Sequence, residues 1–181
     1  TSHAQVSEDG YVETVTFRGG CGSCRGGNGG DTHTYFYMDL SGEPTSANDV
    51  TRIVVEDTED AQGTEAYRTV YGLNADGRVL RKAVIEDPTV GTQTVWCEST
   101  TLGTSESSPK DIDRVKEARS PSAHDVDSDA DLTKFLDPLS GSNDTDTLRS
   151  SGGKILVYVY DDYGYRTDTK VKKGGGGSQY Y

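Results

Sequence analysis

Large aliphatic side chains are scarce in this 181-residue chain. It holds 9 Leu, 4 Ile, 16 Val and 3 Phe, below the roughly 20% under which a highly charged chain ordinarily stays disordered. Tryptophan and methionine occur once each, histidine and cysteine three times each, and proline five times. Lysine is thin as well, 8 residues beside 10 Arg, against 20 Asp and 10 Glu, for a net charge of −12. Each shortage excludes something. Without a basic patch to neutralise phosphates, direct nucleic-acid binding is not expected, and the one basic run is Lys170, Lys172 and Lys173. No stretch approaches the ~18 apolar residues of a membrane span, so no membrane insertion is expected. No positively charged start leads into an apolar segment, and Thr1 suits either a removed initiator Met or a cleaved signal peptide. The three histidines stand beside no nucleophile motif, and phosphate loops and dinucleotide fingerprints are absent. A non-enzymatic role is the expectation.

Glycine (22) and threonine (21) are abundant. With short acidic side chains in place of lysines, this composition suits a protein kept soluble in concentrated salt. Acids hydrate the surface without the alkyl stem each lysine brings, and self-repulsion is screened because the Debye length falls to about 3 Å at 1 M salt. A halophilic source is expected.

Strands are expected at residues 11–18, 32–40, 52–56, 67–73, 79–86, 92–99, 154–160 and 165–171: 11–18, 32–40 and 165–171 alternate with period two, 52–56 is a β-branched run, and 154–160 is apolar on both faces, as a central strand is. In the second of these, Phe36, Met38 and Leu40 fall on one side and His33, Tyr35 and Tyr37 on the other. Asn74-Ala75-Asp76-Gly77 and Asp161-Asp162-Tyr163-Gly164 supply hairpin turns. Ser108-Pro109 followed by Asp111 reads as a helix start for a stripe of Ile112, Val115 and Ala118 ending at Ser120-Pro121. A second short helix is expected over 129–136, gathering Leu132, Phe135 and Leu136. The predicted fold is all-β, a single domain over 1–181: a β-sandwich or barrel of about eight antiparallel strands with one or two short helices in an acidic insertion, 104–151.

Function is expected in the connections and ends: the glycine-rich loop 19–30, the insertion, and the arm Gly174–Tyr181. The loop carries Cys21-Gly22-Ser23-Cys24, half of a zinc-knuckle pattern. Cys97 is the candidate third ligand, and His33, nearest in sequence, the candidate fourth ahead of His3 and His124. In an exported protein the same thiols could instead form a disulfide, and in a reducing compartment they stay free. Asp125, Asp127, Asp129 and Asp131 alternate like the first half of a calcium loop. The pattern then fails: Ala130 stands where glycine is needed for the turn, and Leu136 where the closing acid belongs. A loose cation site or a solvated acidic face are the alternatives. Tyr35, Tyr37, Tyr158 and Tyr160 are candidates for a sugar-binding face. Gly174, Gly177, Tyr180 and Tyr181 are candidate assembly contacts, since a glycine arm needs something to hold it.

A single small β-sandwich with one flanking helix, long loops and terminal arms resembles, in architecture alone, the tube and connector subunits of tailed viruses. That resemblance implies a structural subunit of a virion, viral tail or cell-surface filament, found in the virion or outside the cell, with identical or related subunits as partners. The alternative is a secreted or surface module binding carbohydrate or protein, pinned by a disulfide or cation.

Overall fold

The structure is a computed structural model describing residues 2–8, 10–17, 31–59, 65–86, 94–104, 112–136, 147–176 and 180. It is all-β with very little helix. Ten strands run β1 (Ser2–Val6), β2 (Val12–Phe17), β3 (Thr32–Asp39), β4 (Arg52–Glu59), β5 (Glu65–Leu73), β6 (Val79–Glu86), β7 (Thr94–Leu102), β8 (Val115–Arg119), β9 (Lys154–Tyr160) and β10 (Arg166–Lys173). Every strand pairs antiparallel with its neighbours in sequence, giving one open sheet in the order β1 to β10. The helix α1 (Asp129–Leu136) and a single 3₁₀ turn at Pro121–Ala123 complete the described residues' regular structure.

Three expectations are corrected. The strands number ten, not about eight, and they form a single open sheet, not a sandwich or barrel. What covers the core is the helix-bearing segment after β8, so no second sheet is required. The expected stripe Ile112, Val115 and Ala118 is not a helix over its described part: Val115–Arg119 is β8, paired to both β7 and β9. Two flanking strands satisfy its backbone on both sides, and that outweighs a three-residue apolar spacing compatible with helix. The start signal at Ser108-Pro109 lies outside the described residues. The second expected helix is found over the same residues. Ser128 accepts the Asp131 N–H at 3.2 Å and donates its hydroxyl to Asp131 Oδ2 at 2.6 Å, a reciprocal cap on the first turn.

The pleat sorts the side chains into two faces. On one face the register carries Phe36, Val55, Val70, Ala83 and Cys97 across β3 to β7, and one row away Met38, Ile53, Gly72, Arg81, Ser99, Arg119 and Ile155. Here sits the core: Val50, Ile53, Val70, Leu80, Ala83, Ile85, Cys97 and Leu102, closed from above by Val126 and Phe135 with Leu132 and Leu136. His124 is buried beneath the cover, its Nε2 3.1 Å from Ser99 Oγ and its ring edge-on to Phe135 at 4.9 Å. The cover stops short of β3. Phe36 and Met38 continue the core rows but are 54% and 56% exposed.

The hairpin expected at Asn74–Gly77 is present. The Asn74 side chain is buried, accepting N–H groups from Asp76 and Arg78 and donating to the Ala47 carbonyl. Among the described residues, no helix is long and apolar enough to cross a membrane.

Candidate functional site

The opposite, open face carries a polar cluster around Glu56. Tyr35 and Glu56 are register partners, and His33 and Thr58 are the next pair along, so β3 and β4 bring the four together. Tyr71 reaches the same carboxylate from β5. His33 Nδ1 lies 2.8 Å from Glu56 Oε1, the Tyr35 hydroxyl donates to that oxygen at 3.1 Å, and the Tyr71 hydroxyl donates to Oε2 at 2.8 Å. An ionised carboxylate only accepts, so the proton in the first contact sits on His33 Nδ1. Burial by itself would raise the Glu56 pKa, but the hydrogen bonds from Tyr71, His33 and Tyr35 outweigh it and hold the carboxyl below its usual range. Burial, then the bond to Glu56, pushes the Tyr35 hydroxyl up to about 12, and the Tyr71 hydroxyl is raised for the same two reasons. The cluster therefore locks three strands together through one charge.

That charge makes the fold sensitive to acid. A folded-state pKa below the unfolded value contributes stability that is present above the unfolded value, about 4.3 for Glu, and is lost as pH falls through the folded one. Glu56→Gln cannot ionise. Its melting temperature should lie below that of the parent at neutral pH, and the gap should close as acid protonates Glu56. A gap that is constant from neutral to acid pH would remove the carboxylate's role.

Farther along the same face, Arg52 donates to Asp39 Oδ1 at 2.6 Å and stacks 5.1 Å from the Tyr11 ring centroid. Tyr11 in turn lies 4.8 Å from Tyr37, whose hydroxyl donates to the Val12 carbonyl at 2.9 Å. Of the expected sugar-binding tyrosines, Tyr35 and Tyr37 thus have their hydroxyls committed inside the sheet.

The candidate metal ligands fall in separate places. Cys97 is a free, buried thiol on the core face, raised by burial to about 12. His33 is on the open face four strands away, about 19 Å at the usual strand spacing, so the structure does not bring these two together. Cys21 and Cys24 lie outside the described residues, and His3 sits in the edge strand β1. Asp125 pairs with Arg149 at 3.1 Å, Asp131 with Lys134 at 3.0 Å, and Asp127 is exposed. Asp129 opens α1. Among the described residues, no three His, Cys, Asp or Glu side chains are grouped to hold a metal ion.

The described part of the terminal arm is held by its own chain. Gly174 is buried against the carbonyls of Arg149 and Ser150, and the Gly175 and Gly176 N–H groups donate to those two carbonyls at 2.8 and 3.0 Å. Tyr180 forms an isolated antiparallel bridge to Lys172, and Lys170 Nζ lies 5.5 Å from its ring centroid. Gly177 and Tyr181 lie outside the described residues.

Sequence reasoning missed one arrangement. Arg114, Val115, Tyr158, Tyr160 and Arg166 line a cleft of about 390 Å³. Arg114 stacks 5.5 Å from the Tyr160 ring centroid and Arg166 stacks 5.2 Å from that of Tyr158. The alternation of Tyr158 and Tyr160 was the available signal. The partners come from a loop and another strand, which spacing along β9 cannot show. The chain matches no protein-family model, no curated protein and no solved structure.

Proposed function

We infer that this protein is a non-enzymatic structural subunit of a repeating assembly, such as a viral tail tube, a connector, another virion component or a cell-surface filament, from a halophilic source. The observation that carries this reading is the strip Phe36–Met38. Its side chains extend the core rows of Val55 and Ile53 beyond the cover, and more than half of each is exposed. Continuing a core into solvent is costly for a free monomer, at about 25 cal/mol per Å² of apolar surface left wet. A second copy seated on the strip recovers that surface.

One sheet edge supports the same reading. β1 carries no charged Asp, Glu, Lys or Arg and no proline, the devices that ordinarily keep an edge from pairing, and its Val6 is 57% exposed. The other edge, β10, is protected, since it carries Lys170, Lys172 and Lys173 and is capped at one point by Tyr180. The acidic surface fits self-association only where salt screens it.

Light scattering during size-exclusion chromatography in multimolar salt tests the proposal. The parent should run as an oligomer and the double variant Phe36→Asp, Met38→Asp as a folded monomer, with the parent dissociating and melting lower as salt is withdrawn. A parent that stays monomeric at every salt and concentration overturns the assembly reading. A melting temperature that is flat or rises on desalting overturns the halophilic one.

A further inference from the structure

Four arginines of this acidic chain are paired with carboxylates within it. Arg52 pairs with Asp39, Arg68 with Asp57 and Glu65, Arg119 with Glu117, and Arg149 with Asp125. Arg114 and Arg166 differ: among the described residues, neither has a carboxylate within ion-pair distance. Both lie in the cleft of Tyr158 and Tyr160. In a protein of net charge −12, two cations left together beside two aromatic rings require an explanation.

Three separate backbone features aim them there. Asp113, the residue before Arg114, has φ 59, and its N–H donates to the Gly103 carbonyl while the Arg114 carbonyl accepts from Gly103. This fixes the loop that presents Arg114. Gly164 has φ +81, and a Cβ there would collide with the Arg114 guanidinium, so the guanidinium lies against the bare backbone of the β9–β10 turn. Asp161 Oδ1 accepts the Tyr163 and Tyr165 N–H groups and rigidifies that turn. Finally, the β9–β10 register shifts between Arg166 and Asp168, and such a bulge re-aims a side chain. Here it sets Arg166 over Tyr158 instead of the directly opposite Tyr160. Tyr160 is itself fixed by donating to the Val115 carbonyl at 2.6 Å.

Stacking on an aromatic ring uses the face of a guanidinium and leaves its N–H fork available in the plane. That fork suits a carboxylate, which it can bind in two parallel hydrogen bonds. The same turn carries Tyr163 and Tyr165, 85% and 73% exposed, two bare rings against which a hydroxylated ring can pack. We propose that the cleft binds a carboxylated sugar, its carboxylate held by Arg114 and Arg166 and its ring resting on the tyrosines of the 161–165 turn. This stands independently of the assembly reading.

Titration of the full-length protein with a uronic-acid trisaccharide, followed through the Arg Nε–H resonances, tests it, with the neutral glucose trisaccharide and inorganic phosphate as parallel probes at the same salt. The uronic-acid ligand should shift the Arg114 and Arg166 signals, and the glucose ligand should bind at least about tenfold more weakly. Arg114→Gln with Arg166→Gln should cost the uronic-acid ligand at least a further tenfold or so, while Tyr163→Ser with Tyr165→Ser should weaken it and leave phosphate unchanged. Equal binding of both trisaccharides, or no shift of either arginine, overturns the proposal. Phosphate binding as tightly as the uronic-acid ligand, with no effect of the tyrosine changes, overturns the sugar and leaves an anion site alone.

Discussion

Phe135→Ala should lower the stability of the fold by about 3–5 kcal/mol, the usual cost of emptying a fully buried aromatic site. Phe135 has no exposed surface and is, among the described residues, the largest of the fully buried side chains. It is the main side chain that α1 sends into the core, against the sheet and edge-on to His124. An eight-residue helix is too short to be stable alone, so its docking depends on this contact. A chain of this size loses roughly 2–4 °C of melting temperature per kcal/mol, so a fall of about 10 °C is expected. Phe135→Leu, which refills most of the volume, should cost clearly less. If thermal unfolding followed by circular dichroism shows the alanine variant within a degree or two of the parent, α1 does not cover the core.

Gly153→Ala should be comparably severe for a different reason. Gly153 enters β9 with φ +81, and a Cβ there would fall inside the contact radius of the Ser122 carbonyl and the Ala123 backbone. The left-handed conformation alone costs an alanine about 1–2 kcal/mol, and the obstacle is backbone, which cannot rotate away as a side chain could. Relief requires separating the 3₁₀ turn from β9, breaking the Ser120 N–H bond to the Lys154 carbonyl at 3.0 Å. The neighbouring Gly152→Ala is the control. Its φ is not in the left-handed range, and its nearest contact is the flexible Arg149 side chain at 3.6 Å, so its effect should be small. Equal chemical-denaturation midpoints for the two variants would show that the close approach of 122–123 to 153 does not exist in solution.

Much of this architecture was legible in the chain. Alternation in residues 32–40 separated His33, Tyr35 and Tyr37 from Phe36 and Met38, and the register keeps that division. Asn74 to Gly77 announced its hairpin, and Leu132, Phe135 and Leu136 announced the face of α1. Legibility failed where pairing decides. β8 reads as helix from Ile112, Val115 and Ala118 but lies between β7 and β9. β1 carries too little alternation to be seen and is formed by pairing with β2. Cys97 and His33 are both plausible ligands in sequence, yet the pleat puts them on opposite faces.

The site residues divide in the same way. Tyr35 and His33 were visible as neighbours on one strand face, but Glu56 became their hub only through the β3–β4 register. Arg114 and Arg166 carry no motif, and a loop, a turn and a bulge deliver them to one cleft. The scarcity of large aliphatics likewise changes meaning. It signals disorder for a chain on average, whereas here Val50, Ile53, Val70, Leu80, Ile85 and Leu102 are gathered in one core under α1, and the apolar Phe36 and Met38 remain outside it. The sequence by itself determined the strand periods, the turns and the acidic surface, because each is encoded within about ten neighbouring residues. Only the tertiary structure decided which strands adjoin, which face is covered and which charges meet, because cross-strand partners are set by register, and one residue of slip would move every side chain to the other face.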